Sequence, residues 1–240
     1  MYMSQHAFTP VPSKFDLWVP YNRNYMSLTA RVPGAVLSRI LREVADPEKF
    51  FAIGIWTGHD TSKAWANNPE NHLGAKPNID QGLYDGYPMT WSRWNLIDFA
   101  WGLEGPNAPC DENMFVKHVT WPVMPDLKHR QDTILRAFLS MIARQPGFVC
   151  GEIYCGHKGD RYLMMFTFRS AADWPFGATT PPELKMLAES DLFRSVRRRT
   201  ESPTMLDCTV WDWVWGPDKA EMQAFVLARR TPAVVREQAA

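Results

Sequence analysis

The chain has 240 residues, 26 basic and 26 acidic side chains, a formal net charge of zero and 45% hydrophobic residues, the profile of a globular protein that can bury a real core. With no net field to gather nucleic acid or an anionic membrane, both are excluded as expected partners, and no stretch reaches the roughly 18 apolar residues of a membrane span. Cys110, Cys150, Cys155 and Cys208 form no CxxC pair, which argues against a disulfide framework or a structural zinc site.

In chain order, the amino terminus MYMSQHAFTPVPSK lacks a basic-then-apolar leader, so a cytoplasmic location is expected. Pro20 interrupts Lys14 to Ala30, which predicts only a short helix from about Tyr21 onward. Leu37 to Val44 and Phe50 to Trp56 read as a hairpin across ADPEK, Thr61 to Asn68 as a helix and Trp94 to Trp101 as a strand. Lys76 to Tyr87 stands apart as an insert, and Gly102 to Asn113 as a connector containing Pro and Gly. Phe115 to Pro122 is a predicted strand. After Met124-Pro125-Asp126, a helix carrying Ile134, Ala137, Phe138, Met141 and Ile142 ends at Arg144 and Pro146-Gly147. Phe148 to Cys155 and Arg161 to Phe168 flank a hairpin loop, Pro182 to Val196 is a second helix, Cys208 to Trp215 a last strand and Asp218 to Arg229 a terminal helix. The run Arg197 to Arg199 reads as a solvated helix end.

The order β-α-β-β-α-β therefore occurs twice, and the letters repeat with it. MSLTARVPG (Met26 to Gly34) matches LSMIARQPG (Leu139 to Gly147) at an offset of 113, and TWSRWNLIDFAWG (Thr90 to Gly102) matches TMLDCTVWDWVWG (Thr204 to Gly216) at 114. HAFTPVP from His6 resembles HVTWPVMP from His118 at 112. The predicted fold class is α+β: two tandem ferredoxin-like units, 1–102 and 114–216, joined by a linker at 103–113 and followed by a terminal helix and tail at 217–240. An antiparallel sheet with both helices on one face needs cover on the other. The second unit can supply it by closing an eight-stranded barrel with an interior pocket, a dimeric-α/β-barrel within one chain.

The stretch VPGAVLSRILREVADPEKFFAIGIWTGHDTSKAWANNPE sets Pro-Gly before a strand, a hairpin closing on Trp56 and a helix bearing Trp65. ARQPGFVCGEIYCGHKGDRYLMMFTFRSAADW repeats the pattern more loosely. Both resemble the antibiotic biosynthesis monooxygenase family of dimeric α/β-barrel proteins. That resemblance implies a small-molecule pocket and, among its relatives, cofactor-independent oxygenases of aromatic or polyketide-like substrates in secondary metabolism, haem-binding or haem-degrading enzymes, and members of no known activity. It also implies that Trp65 and Asn68, on the helix after the first hairpin, lie where such oxygenases set indole and polar groups near substrate.

The residues themselves leave several readings open. His6 and His118, on the first strands, can serve as base or proton shuttle, His118 as a haem ligand, or either as a hydrogen-bonded core histidine. On the last strands, alternation puts Trp211, Trp213 and Trp215 on one face with Asp212 opposite, and Asn95, Ile97, Phe99 and Trp101 on one face with Asp98 opposite. A matched acid in each apolar strand is either a general base or a salt bridge to an arginine such as Arg39 or Arg93. Trp56, Trp211, Trp213, Phe99 and Arg93 are the expected substrate contacts. There is no GxSxG, GxGxxG or GKS/GKT, and no histidine spacing suited to a non-haem metal. The expectation is a monomeric or homodimeric enzyme that oxidises a small apolar or aromatic substrate without a bound cofactor. A haem protein and a non-catalytic binding protein are the alternatives.

Overall fold

The computed structural model describes residues 1–85, 91–176 and 180–230. The first half runs β1 (Tyr2–Pro10), α1 (Phe15–Thr29), β2 (Ala35–Glu43), β3 (Phe50–Trp56), α2 (His59–Ala66), α3 (Pro69–Asp80), β4 (Tyr84–Asp85) and β5 (Trp91–Trp101). The second runs β6 (Phe115–Pro122), α4 (Lys128–Ile142), β7 (Phe148–Gly156), β8 (Arg161–Phe168), α5 (Pro182–Glu189), α6 (Asp191–Arg197) and β9 (Thr204–Trp215), with α7 (Lys219–Arg230) after it. Residues 231–240 of the predicted tail, Thr90 of the repeat and the last two residues of the Lys76 to Tyr87 insert lie outside the described residues.

Strands pair in the order β3-β2-β9-β6-β8-β7-β5-β1, and β1 returns to β3, so eight antiparallel strands close a barrel while β4 extends the end of β1. Each half contributes a ferredoxin-like sheet, β2-β3-β1-β5 and β7-β8-β6-β9, and the seams are β2 on β9 and β7 on β5. The repeated Pro-Gly and Trp-Gly pairs have positional causes. Gly34 and Gly147 hold φ of +87° and +72° where α1 and α4 turn into β2 and β7, a conformation that penalises any Cβ.

Gly102 and Gly216 sit where each last strand leaves the barrel across the other half. Their amides donate to Val149 O at 2.8 Å and Val36 O at 3.0 Å. A Cβ on Gly102 would stand 1.9 Å from Phe148 O, and one on Gly216 would stand 2.1 Å from Ala35 O. Gly102→Ala or Gly216→Ala is therefore expected to destabilise the fold by about 1–3 kcal/mol through forced backbone displacement. A shift of the urea midpoint reads this out, and an unmoved midpoint would dismiss the close approach.

Four expectations are corrected here. Helix α1 runs unbroken through Pro20, because the carbonyl freed by the missing N–H belongs to Asp16, which with Pro20 faces solvent. Most of the Lys76 to Tyr87 insert is structured, with α3 reaching Asp80 and β4 following. The predicted helix from Pro182 breaks at Ser190, whose backbone is extended (φ −63°, ψ 147°) and whose hydroxyl caps α6 by accepting from Phe193 N at 3.2 Å.

The fourth concerns both last strands, each of which carries a one-residue bulge, at Ile97 in β5 and at Trp211 in β9. A bulge adds a residue without adding a partner, so the faces swap beyond it. Trp94, Leu96, Phe99 and Trp101 face the barrel interior with Val210, Trp213 and Trp215, while Ile97 and Trp211 pack outside, under the helices. Trp211 thus packs against Trp18 of α1 with the rings tilted (4.9 Å between centroids) instead of joining Trp213 and Trp215.

Among the described residues no helix is long and apolar enough to cross a membrane. All four cysteines are free, and no group of three or more His, Cys, Asp or Glu among those residues is placed to hold a metal ion.

Candidate functional site

The bulges and hydrogen-bond registers fix which residues of the two halves correspond. Thr57 N donates to Gly34 O and Arg169 N to Gly147 O, and Tyr2 lies opposite Trp56 as Phe115 lies opposite Phe168. Tyr2 therefore corresponds to Phe115, Gln5 to His118 and His6 to Val119. The sequence match of His6 to His118 is one residue out of register, so the two histidines point to opposite faces of the wall.

His118 points into the barrel. It is 5% exposed, stacks on Phe51 at 5.3 Å and accepts at Nε2 from the side-chain amide of Gln5, its own counterpart, at 3.0 Å. That bond keeps the ring neutral with its proton on Nδ1. Burial, reinforced by the nearby charge of Arg39, pushes its pKa down to about 4. Beside it a second pair of counterparts meets: Arg39 Nη1 donates to Glu152 Oε1 at 3.0 Å and Nη2 donates to Oε2, with both side chains almost wholly buried. Arg39 also lies over the Trp213 ring at 5.1 Å, and Tyr154 Oη donates to Glu152 at 3.2 Å. Desolvation, the largest single influence, opposes the Arg39 charge, but Glu152 together with Tyr154 and Cys150 outweighs it and holds the guanidinium above its usual range. Phe99, Trp213 and the other interior side chains fill the rest of the space. Among the described residues the barrel interior is a packed core around two polar pairs, and the cavity that gathers the expected site residues lies outside it and not in the predicted interior. His118, closed in with its Nε2 engaged, does not fit the role of an axial haem ligand.

A cavity with polar groups in its wall lies outside the barrel, between the first half's sheet and its helices, with a volume of about 400 Å³. Tyr2, Ser4 and His6 of β1, Ser38 of β2, and Ala52, Gly54 and Trp56 of β3 form its sheet side. Tyr25, Met26 and Thr29 of α1 and Ser62, Trp65 and Ala66 of α2 face them, Asn71 of α3 lies at one end, and exposed His59, Lys63 and Arg93 stand at the rim. Of the expected site residues, His6, Trp56, Trp65 and Arg93 converge on this cavity. His6 is 8% exposed, and burial pushes its pKa down to about 4. Tyr25 Oη donates to Asn71 Oδ1 at 2.7 Å, and burial raises its pKa, so the phenol stays protonated at neutral pH. Trp56 Nε1 donates to Ser4 Oγ at 3.2 Å. Ser38 Oγ is buried without a partner among the described residues.

The remaining candidates fall elsewhere. Asn68 caps α3 by accepting from Glu70 N at 2.8 Å, and Asn71, one turn on, lines the cavity. Asp98 is paired with Arg136 of α4 at 3.1 Å, not with Arg39 or Arg93. Its counterpart Asp212 lies near Arg23, the counterpart of Arg136. Burial raises the Asp212 pKa, partly offset by the Trp213 backbone amide and by Arg23. The sequence missed Tyr25, Ser38 and Asn71. The spacing of Tyr25 from the buried Asn22, Met26 and Thr29 of α1 was the available signal, already inside the short helix expected from about Tyr21 onward.

A pH dependence follows from the two histidines. Each has a folded pKa of about 4 against 6.5 for the free side chain, so between those values the unfolded chain binds more protons and stability falls as pH falls. Above pH 6.5 the contribution is complete. By pH 4 about 3 kcal/mol per histidine is expected to be gone. Urea unfolding across this window measures it. His118→Gln should remove about half of the slope, and a stability flat between pH 6.5 and 4.5 would refute the assignment.

No protein-family model and no curated protein matches the sequence. Solved structures do match in shape. A candidate monooxygenase from Fusobacterium nucleatum superposes with a TM-score of 0.67 at 8% identity, over 89% of this chain and 94% of that one. A candidate monooxygenase from Lactobacillus acidophilus gives 0.63 at 6%, over 89% and 96%, and an anthrone oxidase-like protein gives 0.59 at 13%, over 91% and 94%. The chain shares the fold of these three proteins. Coverage of about nine-tenths of each chain means that one chain supplies both halves, and identities this low carry the fold and not the reaction.

Proposed function

We propose that the protein is an oxygenase that oxidises an electron-rich aromatic or polyketide-like small molecule in the first half's cavity, without a bound cofactor. The observation that carries this reading is the convergence of His6 with the Tyr25–Asn71 hydrogen-bonded pair and the rings of Trp56 and Trp65 on one cavity of about 400 Å³. Its size suits a small flat molecule. The name of the anthrone oxidase-like neighbour points to the same substrate class.

His6 acts as the base. Its neutral imidazole takes a proton from an activated CH₂ of the substrate, and the imidazolium so formed is held by the carbanion beside it. The carbanion adds to dioxygen, forming a C–O bond. His6 returns its proton to the peroxide, and loss of water, with cleavage of the O–O bond and the remaining C–H bond, leaves a ketone. One O₂ is consumed and one H₂O released per CH₂ oxidised. Asn71, oriented by the hydrogen bond it accepts from Tyr25 Oη and by the one its amide donates to Ala66 O, turns its remaining N–H to the substrate oxygen as negative charge gathers there, and the two indoles exclude water.

Oxygen uptake by the purified protein with anthrone- and naphthol-type substrates tests the reading. One O₂ per substrate, with a ketone or quinone product and no added cofactor, is the expected result. Binding of the same compounds with no oxygen uptake across the panel would overturn it and leave a binding protein.

A further inference from the structure

The second half carries a cavity of about 480 Å³ between its sheet and α4, α5 and α6, in the position that corresponds to the cavity of the first half. The register that pairs Tyr2 with Phe115 sets Val119 where His6 stands. Along the other strand and the helix, Met164 replaces Ala52, Phe166 replaces Gly54 and Phe138 replaces Tyr25. His6 and Tyr25 of the first cavity thus have apolar counterparts in the second, Val119 and Phe138. We infer that this second cavity is a separate binding site for an apolar aromatic molecule, one that binds without reacting.

The choice of ligand rests on hydrogen-bond accounting and on shape. Phe138 stacks on Phe176 at 5.7 Å between centroids and meets Phe166 edge-on at 5.3 Å, and Trp174 lies 5.2 Å from Phe176, so aromatic faces and edges line the wall. Two polar groups at the margin, Lys117 and Thr200, are already engaged. Lys117 Nζ is held by Asp207 and lies over the Trp174 ring. Thr200 Oγ1 accepts from Trp121 Nε1 at 3.3 Å and donates to Val196 O at 3.1 Å. A ligand hydroxyl or carboxylate carried inside would lose its water without a partner among the described residues, whereas a hydrocarbon ring loses nothing and gains burial. Among the described residues no histidine or carboxylate lines the interior, and Glu201 and Arg197 lie exposed at the rim.

The test uses the full chain and the hydrocarbon fluorophore diphenylhexatriene, whose emission rises in an apolar site. Saturable binding of one equivalent is expected. Leu187→Trp, which fills the cavity from α5, should weaken it at least tenfold, as should Ala188→Trp at a more exposed position of the same wall that will not impair folding. His6→Ala and Asn71→Ala, in the first half, should leave it unchanged. Undiminished binding in a cavity-filled variant with a native circular dichroism spectrum, no saturable binding at all, or loss in the first-half variants would each overturn the inference. None of these outcomes bears on oxygen uptake in the first cavity.

Discussion

Replacing Arg39 with methionine is expected to destabilise the protein by about 3–5 kcal/mol, the largest effect of any single substitution outside the packed apolar core. The substitution removes the bidentate partner of Glu152, a carboxylate 1% exposed inside the barrel, and water cannot reach the charge left behind. Glu152→Gln should be costly for the converse reason, since it strands the Arg39 guanidinium. The double variant Arg39→Met/Glu152→Leu should recover most of the loss, because well-packed apolar residues replace a buried ion pair at little net cost. Urea unfolding of the three variants gives the coupling directly. Loss of less than 1 kcal/mol in both single variants would mean that the pair does not hold the barrel centre.

The same pair shows what joining the halves in one chain permits. Arg39 and Glu152 occupy corresponding positions and meet each other, as Gln5 and His118 do. A barrel closed by two identical copies of either half would set like charge against like charge there. Covalent linkage lets each half carry the complement of the other, so the interior is closed by pairs that a symmetric dimer cannot form.

The second large effect is expected at His6. If it is the base, His6→Ala should lower kcat of the oxygenase reaction by about 10²–10⁴, the range of a positioned proton-transfer group, with little change in KM. Tyr25→Phe, which keeps the ring and removes the donor to Asn71, should cost less. His118→Gln should leave kcat within a few-fold of wild type, since that ring faces the barrel interior. Equal losses at His6 and His118, or none at His6, would remove the assignment. The kcat of each variant at saturating substrate, with circular dichroism to verify folding, decides it.

Much of the architecture was legible in the letters. The hairpins of both halves, the helix from Lys128, the terminal helix and the β-α-β-β-α-β order all follow from local periodicity and turn chemistry, which act over a few residues. The repeat at 113 and 114 implied the closed barrel, and the same offset applied to His118 leads to Gln5, not His6. Trp56, Trp65 and Arg93 were also reachable, since they flank the hairpin and last strand whose ends bound the cavity.

What the sequence could not fix was anything that one residue of register inverts. A single bulge at Ile97 and another at Trp211 exchange the inner and outer faces of the last strands, and nothing in the alternation of apolar residues announces them. Which side of the wall holds the cavity, and which histidine faces it, were decided by packing: interior side chains of eight strands meet and fill the barrel, while the helices stand off the sheet where Gly54 and Ala52 are small. The partners of Arg39, Asp98 and His118 all come from the opposite half, more than 35 residues away in the chain, so only closure of the barrel brought them within hydrogen-bond reach.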